Sequence, residues 1–372
     1  MSQLKLNSRL LQVPLYIGGK PIEQVQQEYG LSEVIKLASN ENPLGPSPRA
    51  LAALQAELSQ VHRYPGVAEK MFREKLAAFH NARDAAQFKD ANFLVGNGLS
   101  DVLKMITSAF IFDGGASVVC NATFPLYKIF TTQFGGQVIA TPHKNYHYDL
   151  SGMADAITPD TRLVFVTNPN NPTGTLISPD EIDTFMKRVP PSVVVIFDEA
   201  YHDFVDDSNY SNAVEYIKQG YENVLALYSF SKTYGLANLR LGYAIGAAST
   251  IEYLAHGLLP FNTSDPVLHA GMAALDDRAY LERIRALLAS EKPFLYAGLS
   301  QLDLEFIPTQ ANFILLPNLP RDTKTLDHEL LKRGVIVRPM GGFGLPGALR
   351  VTIGTREENV KFLHALRDVL KQ

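Results

Sequence analysis

The sequence predicts an α/β protein with a large domain built on a mostly parallel, helix-covered sheet and a smaller α+β domain. Three observations lead there. Near-continuous valine, isoleucine and leucine runs such as "LVFV" and "VVVIF" alternate with amphipathic stretches, as in strands buried on both faces. Polar residues collect where those runs end, which is where open α/β sheets place their ligands. From about residue 275 the pattern changes to one of mixed strands and helices. We therefore read 1–30 as an N-terminal arm, 31–50 with 270–372 as the small domain, and 51–269 as the large one.

The elements follow in order. After the arm, "VIKLASNENPLGPSP" is extended, because Pro43, Pro46 and Pro48 stop a helix. "SPRALAALQAEL" starts a helix with a serine cap and proline in the first turn. Beyond "HRYPG" the apolar spacing of "VAEKMFREKLAAFH" is helical. Strand and helix then alternate: "NFLVGNG" and "SDVLKMITSAFI", "ASVVCNATFP" and "LYKIFTTQFG", "QVIATP", "TRLVFVTNP", "SPDEIDTFMKRV", "SVVVIFDEA". "VLALYSF" and "LRLGYAIG" complete the large sheet. The tail contributes "LEFIPTQANFILLP", the helix "TKTLDHELLKRG", the strands "VIVRPM" and "ALRVTIGT", and a closing helix.

Composition narrows the function. The 372 residues are 46% hydrophobic and 19% charged, an ordinary globular balance. Net charge is 34 minus 38, or −4, with basic residues scattered, so no nucleic-acid footprint is indicated. One cysteine, Cys120, excludes a disulfide framework and fits a reducing cytoplasm. The N-terminus lacks a secretory signal, and no apolar run approaches the roughly 20 residues of a membrane span. His143 and His147 stand four apart in "TPHKNYHYD", a loop without a zincin glutamate, so no metal is expected.

Five strand ends carry the chemistry: Asn97 follows "FLV", Phe124 "SVVC", Asn171 "LVFV", Asp198 "VVVIF" and Lys232 "VLALYSF". In "VGNGLSD" the glycines permit a sharp turn into a helix whose first N–H groups suit a phosphate; taken alone, such a turn is more often a plain strand-to-helix connection. The third glycine of a dinucleotide fingerprint is missing, and no Walker lysine follows. Asp198 ends an apolar strand, where a desolvated carboxylate demands a partner: a helix cap, an ion pair, or a protonated heterocycle nitrogen. "NPNNPTG" makes turns and also fixes Asn171 in direction. Lys232 follows "VLALYSF", framed by Ser229, Ser231 and Thr233.

Together these residues describe pyridoxal 5′-phosphate chemistry. Lys232 forms a Schiff base with the aldehyde, and Asp198 keeps the pyridine nitrogen protonated so that the ring withdraws electrons. Asn171 and Tyr201 bond the ring hydroxyl, and Phe124 stacks on the ring. Gly98, Leu99 and Ser100 at the helix start, with Ser229, Ser231 and the fork of Arg240, hold the phosphate. Lys232, Asp198 and Tyr201 form the catalytic set.

"NPNNPTG", "DEAY" and "SFSKTYGLANLRLGY" resemble the signatures of the fold type I, aspartate aminotransferase-like family, in the same order and over nearly the whole chain. "YIGGKPIEQVQQEYGLSEVIKLASNENPLGPSP", "HRYPG" and "VRPMGGFGLPGALRVTIGT" are similar to its histidinol-phosphate aminotransferase branch. The resemblance implies a homodimer in which Tyr64 reaches the neighbouring subunit's cofactor phosphate. It also implies a substrate pocket of Tyr16, Asn40, Asn312, Arg338 and Arg350. Leu99 and Ser100 depart from the usual serine and acidic residue there, Asn238 stands where glycine is common, and Phe124 where tyrosine is frequent.

The resemblance implies transamination between histidinol phosphate and 2-oxoglutarate, with Lys232 as base, Arg350 gripping a carboxylate and Arg338 the phosphate. Aromatic amino acids are the alternative amino donors, and a related branch decarboxylates threonine phosphate. A non-catalytic cofactor-binding regulator domain and a nicotinamide dehydrogenase are the readings from other classes. The charge balance and the incomplete glycine fingerprint argue against them.

Overall fold

The computed structural model describes residues 8–13 and 18–371. In chain order it begins with helix α1 (Ile22–Tyr29), strand β1 (Ile35–Lys36) and helices α2 (Pro48–Glu57) and α3 (Ala68–Asp84). Then come β2 (Phe93–Asn97), α4 (Leu99–Phe110), β3 (Ala116–Cys120), α5 (Leu126–Gln133), β4 (Gln137–Thr141) and α6 (Leu150–Asp155). β5 (Thr161–Thr167), α7 (Pro179–Met186), β6 (Val194–Asp198), α8 (Val214–Lys218), β7 (Val224–Ser229) and β8 (Leu241–Ile245) continue the alternation. α9 (Ala248–Ala255), α10 (Asp265–Leu275) and the long α11 (Arg278–Ser300) lead to β9 (Phe313–Leu316) and α12 (Thr323–Leu331). β10 (Val335–Ile336), β11 (Arg338–Pro339), β12 (Leu349–Thr352) and α13 (Arg356–Leu370) close the chain.

Seven strands form one sheet in the order β2-β8-β7-β6-β5-β3-β4. Only β8 runs against its neighbours. Its residues alternate strictly between two cores. Val118, Val164, Val166, Val195 and Phe197 pack on one face, and Val119, Leu163, Phe165, Val194 and Ile196 on the other. Each such fully buried side chain contributes roughly 1.5–3 kcal/mol, which is why these strands read as unbroken apolar runs.

The smaller sheet, β11-β12-β9, is antiparallel and packs its apolar face against α11, α12 and α13. β1 pairs in parallel with β10. The reading of "VIVRPM" as one strand is thus refined: the segment breaks at Val337 and serves two sheets. Ahead of β1, α1 is docked on the rest of the chain. α1 presents Ile22, Val25 and Tyr29 to Ala38, Leu331 and Ile336, an apolar stripe that docks it. α10 packs on α2 and α3, and its Leu268, Ala270 and Ala274 share the large sheet's core.

The two sheets are tied by the segment before α2. Asn42 Nδ2 donates to the carbonyl of Thr233 at 2.8 Å, and Ser47 N to that of Tyr234 at 3.3 Å. Gly235, at φ +67, lies so close that a Cβ there would meet the Gly45 carbonyl oxygen at 2.1 Å. Ser47 caps α2 by accepting from Ala50 N, with Pro48 in the first turn, as the sequence indicates. Among the described residues, no helix is long and apolar enough to cross a membrane.

Candidate active site

A cavity of about 410 Å³ opens at the C-terminal ends of β5, β6 and β7. It is lined by Leu99, Ser100, Phe124, Asn171, Asp198, Tyr201, Ser229, Ser231, Lys232 and Arg240, and from the small-sheet side by Asn40, Arg338 and Arg350. Five sequence-distant segments therefore converge, as expected of strand-end residues in one parallel sheet.

Asp198 is the last residue of β6 and is 6% exposed. Its Oδ2 accepts from the Tyr127 hydroxyl at 2.7 Å and its Oδ1 from Ala200 N at 3.2 Å. Burial pushes its carboxyl above the usual range, opposed by those two donors and by the charge of Lys232. A cation or donor on its open side would favour the ionised form.

Lys232 sits in the turn after β7, partly buried, and its Nζ donates to the Ser39 carbonyl at 2.8 Å. Burial lowers its pKa to about 7, helped by the charges of Arg350 and Arg240 and opposed by Glu41 and Asp198. Near neutrality a large share of this amine is uncharged and nucleophilic, which is the condition for bonding a carbonyl carbon.

Asn171, Tyr201 and Asn40 form one cluster. The Tyr201 hydroxyl accepts from Asn40 Nδ2 at 2.9 Å and from Asn171 Nδ2 at 3.4 Å. Arg350, buried to 4% exposure, donates Nη1 to Asn171 Oδ1 and Nη2 to the Ala38 carbonyl, the latter at 2.8 Å. Asn40 adopts a left-handed backbone at φ 54, where asparagine is tolerated, and its N–H donates to Thr352 Oγ1 at 3.0 Å. Asn312 does not line the cavity; it is buried behind it and donates Nδ2 to the Asn40 carbonyl at 3.1 Å.

Gly98, at φ +79, ends the turn from β2 and caps α4. The first N–H groups of that helix, at Leu99 and Ser100, have no carbonyl partner within it. Arg240, also left-handed at φ 55, covers the glycine and donates Nη1 to the Ala237 carbonyl at 2.8 Å and to Ser231 Oγ at 3.4 Å. Ser229 Oγ accepts from Ser231 N at 3.1 Å, which shapes the turn carrying both serines. Phe124 borders the cavity, its ring edge-on to Tyr127 with centroids 5.7 Å apart.

Arg338 lines the far side, its guanidinium 5.9 Å from the Phe343 ring centre. Tyr64 does not line this cavity; it is 80% exposed and stacks on Phe261 at 4.6 Å. Tyr16 lies outside the described residues. The sequence reading missed Tyr127, Thr167, Lys36, Glu41 and Phe343, all of which line the cavity. Lys36 and Glu41 pair at 2.9 Å. Among the lining residues five cations (Lys36, Lys232, Arg240, Arg338, Arg350) outnumber two anions (Glu41, Asp198), so the site is built for anionic ligands.

This fold and site define a class: the chain belongs to the aminotransferase class I and II family, whose pattern it matches over residues 32–366. It is 44% identical over 366 residues to histidinol-phosphate aminotransferase of Moorella thermoacetica, covering 98% of this chain and 93% of that one. Its identity to the Symbiobacterium thermophilum enzyme of that name is 41%, over 95% of this chain and 96% of the relative. The fold matches histidinol-phosphate aminotransferase from Sinorhizobium meliloti, solved in complex with pyridoxal-5′-phosphate, with TM-score 0.88 at 22% identity, covering 100% of this chain and 99% of that one. It also matches aspartate aminotransferase from Thermus thermophilus, with TM-score 0.85 at 21% identity, covering 99% and 100% respectively. The fold class and family expected from the sequence are both met.

Proposed function

We propose that the protein moves the amino group of L-histidinol phosphate to 2-oxoglutarate, giving imidazole-acetol phosphate and glutamate, as a step of histidine biosynthesis. The observation that carries this reading is the sharing of one cavity by Lys232, Asp198 and the two arginines Arg338 and Arg350. The relatives at 44% and 41% identity over nearly the whole chain support it.

The donor set fits pyridoxal 5′-phosphate. Asp198 is a buried carboxylate whose described hydrogen-bond partners, Tyr127 and Ala200, are uncharged, which suits it to the ring nitrogen. The open helix start at Leu99 and Ser100, with Ser229, Ser231 and Arg240, suits a dianionic phosphate. Asn171 and Tyr201 stand ready for the ring hydroxyl, Phe124 for the ring face, and Lys232 for the aldehyde carbon. When bound, the cofactor withdraws electrons from the amine-bearing carbon of the substrate.

The chain's own residues do the rest. Arg350 holds the carboxylate of glutamate or 2-oxoglutarate, with Asn40 and Asn312 fixing the strand beside it, and Arg338 holds the phosphate of the other substrate. In its uncharged form, a large share of the amine near neutral pH, Lys232 Nζ would take the proton of the amine-bearing carbon and hold it as an ammonium group for return to carbon. Tyr201 holds its hydroxyl in place through Asn40 and Asn171. No net oxidant is consumed, because one substrate gains what the other loses.

The assembly we propose is a homodimer in which Tyr64 completes the partner's phosphate site and Tyr16 helps close the pocket. In each subunit, residues 31–50 and 270–372 form a small domain against the large domain of 51–269, with 1–30 as an arm. A cytoplasmic location accompanies this reading, since the single buried cysteine suits a reducing compartment.

Purified protein supplied with 2-oxoglutarate and, separately, histidinol phosphate, phenylalanine or tyrosine tests the substrate. The highest kcat/KM is expected for histidinol phosphate; a higher value for phenylalanine overturns that choice in favour of an aromatic aminotransferase. Borohydride treatment of the cofactor-loaded protein should leave the label on the peptide carrying Lys232 alone.

A further inference from the structure

A string of buried hydroxyls runs from Asp198 into the large sheet. Tyr127, in the first turn of α5 and fully buried, donates to Asp198 Oδ2 at 2.7 Å. Its oxygen lies 2.9 Å from Thr167 Oγ1, at the end of β5. Thr167 in turn lies 3.3 Å from the Tyr148 hydroxyl and 3.3 Å from Thr123 Oγ1. Tyr148 and Thr123 are 2.7 Å apart, and Thr123 reaches Asn170 Oδ1 at 3.1 Å. Asn170 is fixed in orientation, because its Nδ2 donates to the Ala122 carbonyl at 2.9 Å and to Thr173 Oγ1 at 3.0 Å.

Counting protons gives the string a direction. Each hydroxyl has a single proton to donate. Tyr127 gives its proton to Asp198, so Thr167 gives its own to Tyr127; at the far end Thr123 gives its proton to Asn170 Oδ1, so Tyr148 donates to Thr123 across their 2.7 Å contact. The hydroxyl dipoles nearest the carboxylate therefore all point their positive ends toward it. A protonated Asp198 would remove the reason for that order, and aligned hydrogen bonds in a low-dielectric interior reinforce one another.

We propose that Tyr127 and Thr167 are positioning residues that keep Asp198 ionised and aimed into the cavity for the cofactor's ring nitrogen. This rests on the pyridoxal phosphate reading of the site. The string offsets the cost of burying the carboxylate where, among the described residues, no cation lies within ion-pair distance of it. The titratable and charged groups acting on Asp198 are Tyr127 from α5 and Lys232 from the turn after β7; the remaining donor is the Ala200 N–H.

The test is equilibrium binding of pyridoxal 5′-phosphate to cofactor-stripped protein across the acid range, followed by absorbance, for wild type, Tyr127→Phe, Thr167→Val and Thr167→Ser. Melting curves of the stripped proteins report on folding. Tyr127→Phe should bind about 10- to 100-fold more weakly, the loss expected for one hydrogen bond to a charged group. Its binding should also fail at a higher pH than wild type as acid is added. Thr167→Val should shift the same limb in the same direction by less, and Thr167→Ser should restore wild-type behaviour.

An unmoved acid limb in Tyr127→Phe overturns the proposal, as does a Thr167→Ser protein that behaves like Thr167→Val. If Thr167→Val does not fold, Tyr127→Phe alone decides. Failure of the wild type to bind the cofactor would instead remove the reading on which the proposal rests, a result distinguishable from the others.

Discussion

Arg338 and Arg350 stand directly opposite each other on β11 and β12, with Phe343 close to both, 5.9 and 5.4 Å from ring centre to guanidinium. Like charges in register across a strand pair are unfavourable, so this arrangement is one that an anionic ligand stabilises. On the proposed assignment the two arginines divide the work, Arg350 taking the carboxylate and Arg338 the phosphate. Arg338→Gln should then raise KM for histidinol phosphate about 10- to 100-fold, the worth of a charged hydrogen bond. KM for glutamate in the reverse direction should change little. Arg350→Gln should impair the glutamate and 2-oxoglutarate half-reaction most. Steady-state kinetics with each substrate varied in turn checks this division; an equal rise for both substrates in Arg338→Gln would refute it.

The amine of Lys232 supplies a prediction about pH. Its pKa of about 7 lies below the ordinary lysine value, so the neutral, reactive form predominates above pH 7 and is lost below it. The rate at which cofactor-stripped protein bonds pyridoxal 5′-phosphate should therefore rise with pH and level off just above neutrality. An unperturbed lysine would still be gaining rate near pH 10. Arg350 is the largest charge depressing this pKa. Arg350→Gln should consequently move the inflection upward, and stopped-flow absorbance measures both curves.

Gly98 sets the floor of the proposed phosphate cradle. A Cβ at this position would lie 2.4 Å from Arg240 Nη2, and the residue holds φ +79. Alanine there imposes backbone strain of roughly 1–3 kcal/mol and also pushes the guanidinium away. Gly98→Ala should fold with a lowered Tm and bind pyridoxal 5′-phosphate at least about tenfold more weakly, given the lost charged contact. The alanine variant binding as tightly as wild type would mean that Arg240 does not grip the phosphate.

The large sheet was legible because β3, β5, β6 and β7 are buried on both faces, which leaves apolar runs that no surface helix imitates. Lys232, Asp198 and Asn171 were legible because each polar side chain stands at, or a short turn beyond, the end of such a run. Tyr127 was not. On its helix it looks like any core aromatic, and its meaning lies in a contact with a residue 71 positions away. Thr167 likewise reads as a strand end. α1 escaped notice because it is only eight residues long and its apolar stripe is recognisable only against Ala38 and Ile336. The break at Val337 depends on which sheet each half joins, information that local spacing does not carry.

Tyr64 and Phe261 stack at 4.6 Å while remaining 80% and 58% exposed, with Val61, Val67 and Leu259 also exposed in the same two segments. The Gly66 N–H, bonded to Asp265 Oδ2 at 2.9 Å, fastens the first segment to the start of α10 beside the second. Apolar surface presented on anchored backbone is characteristic of an interface, and the proposed occupant is a second copy of the chain. Sedimentation equilibrium should give twice the 41.0 kDa chain mass. Phe261→Asp, which would place a charge in the centre of the patch, should shift the population toward monomer. Tyr64→Phe keeps the apolar ring and should remain dimeric, yet bind pyridoxal 5′-phosphate about tenfold more weakly, because the hydroxyl proposed to reach the partner's phosphate is gone. A wild-type protein that sediments as a 41.0 kDa monomer would end the homodimer assignment and, with it, the role given to Tyr64.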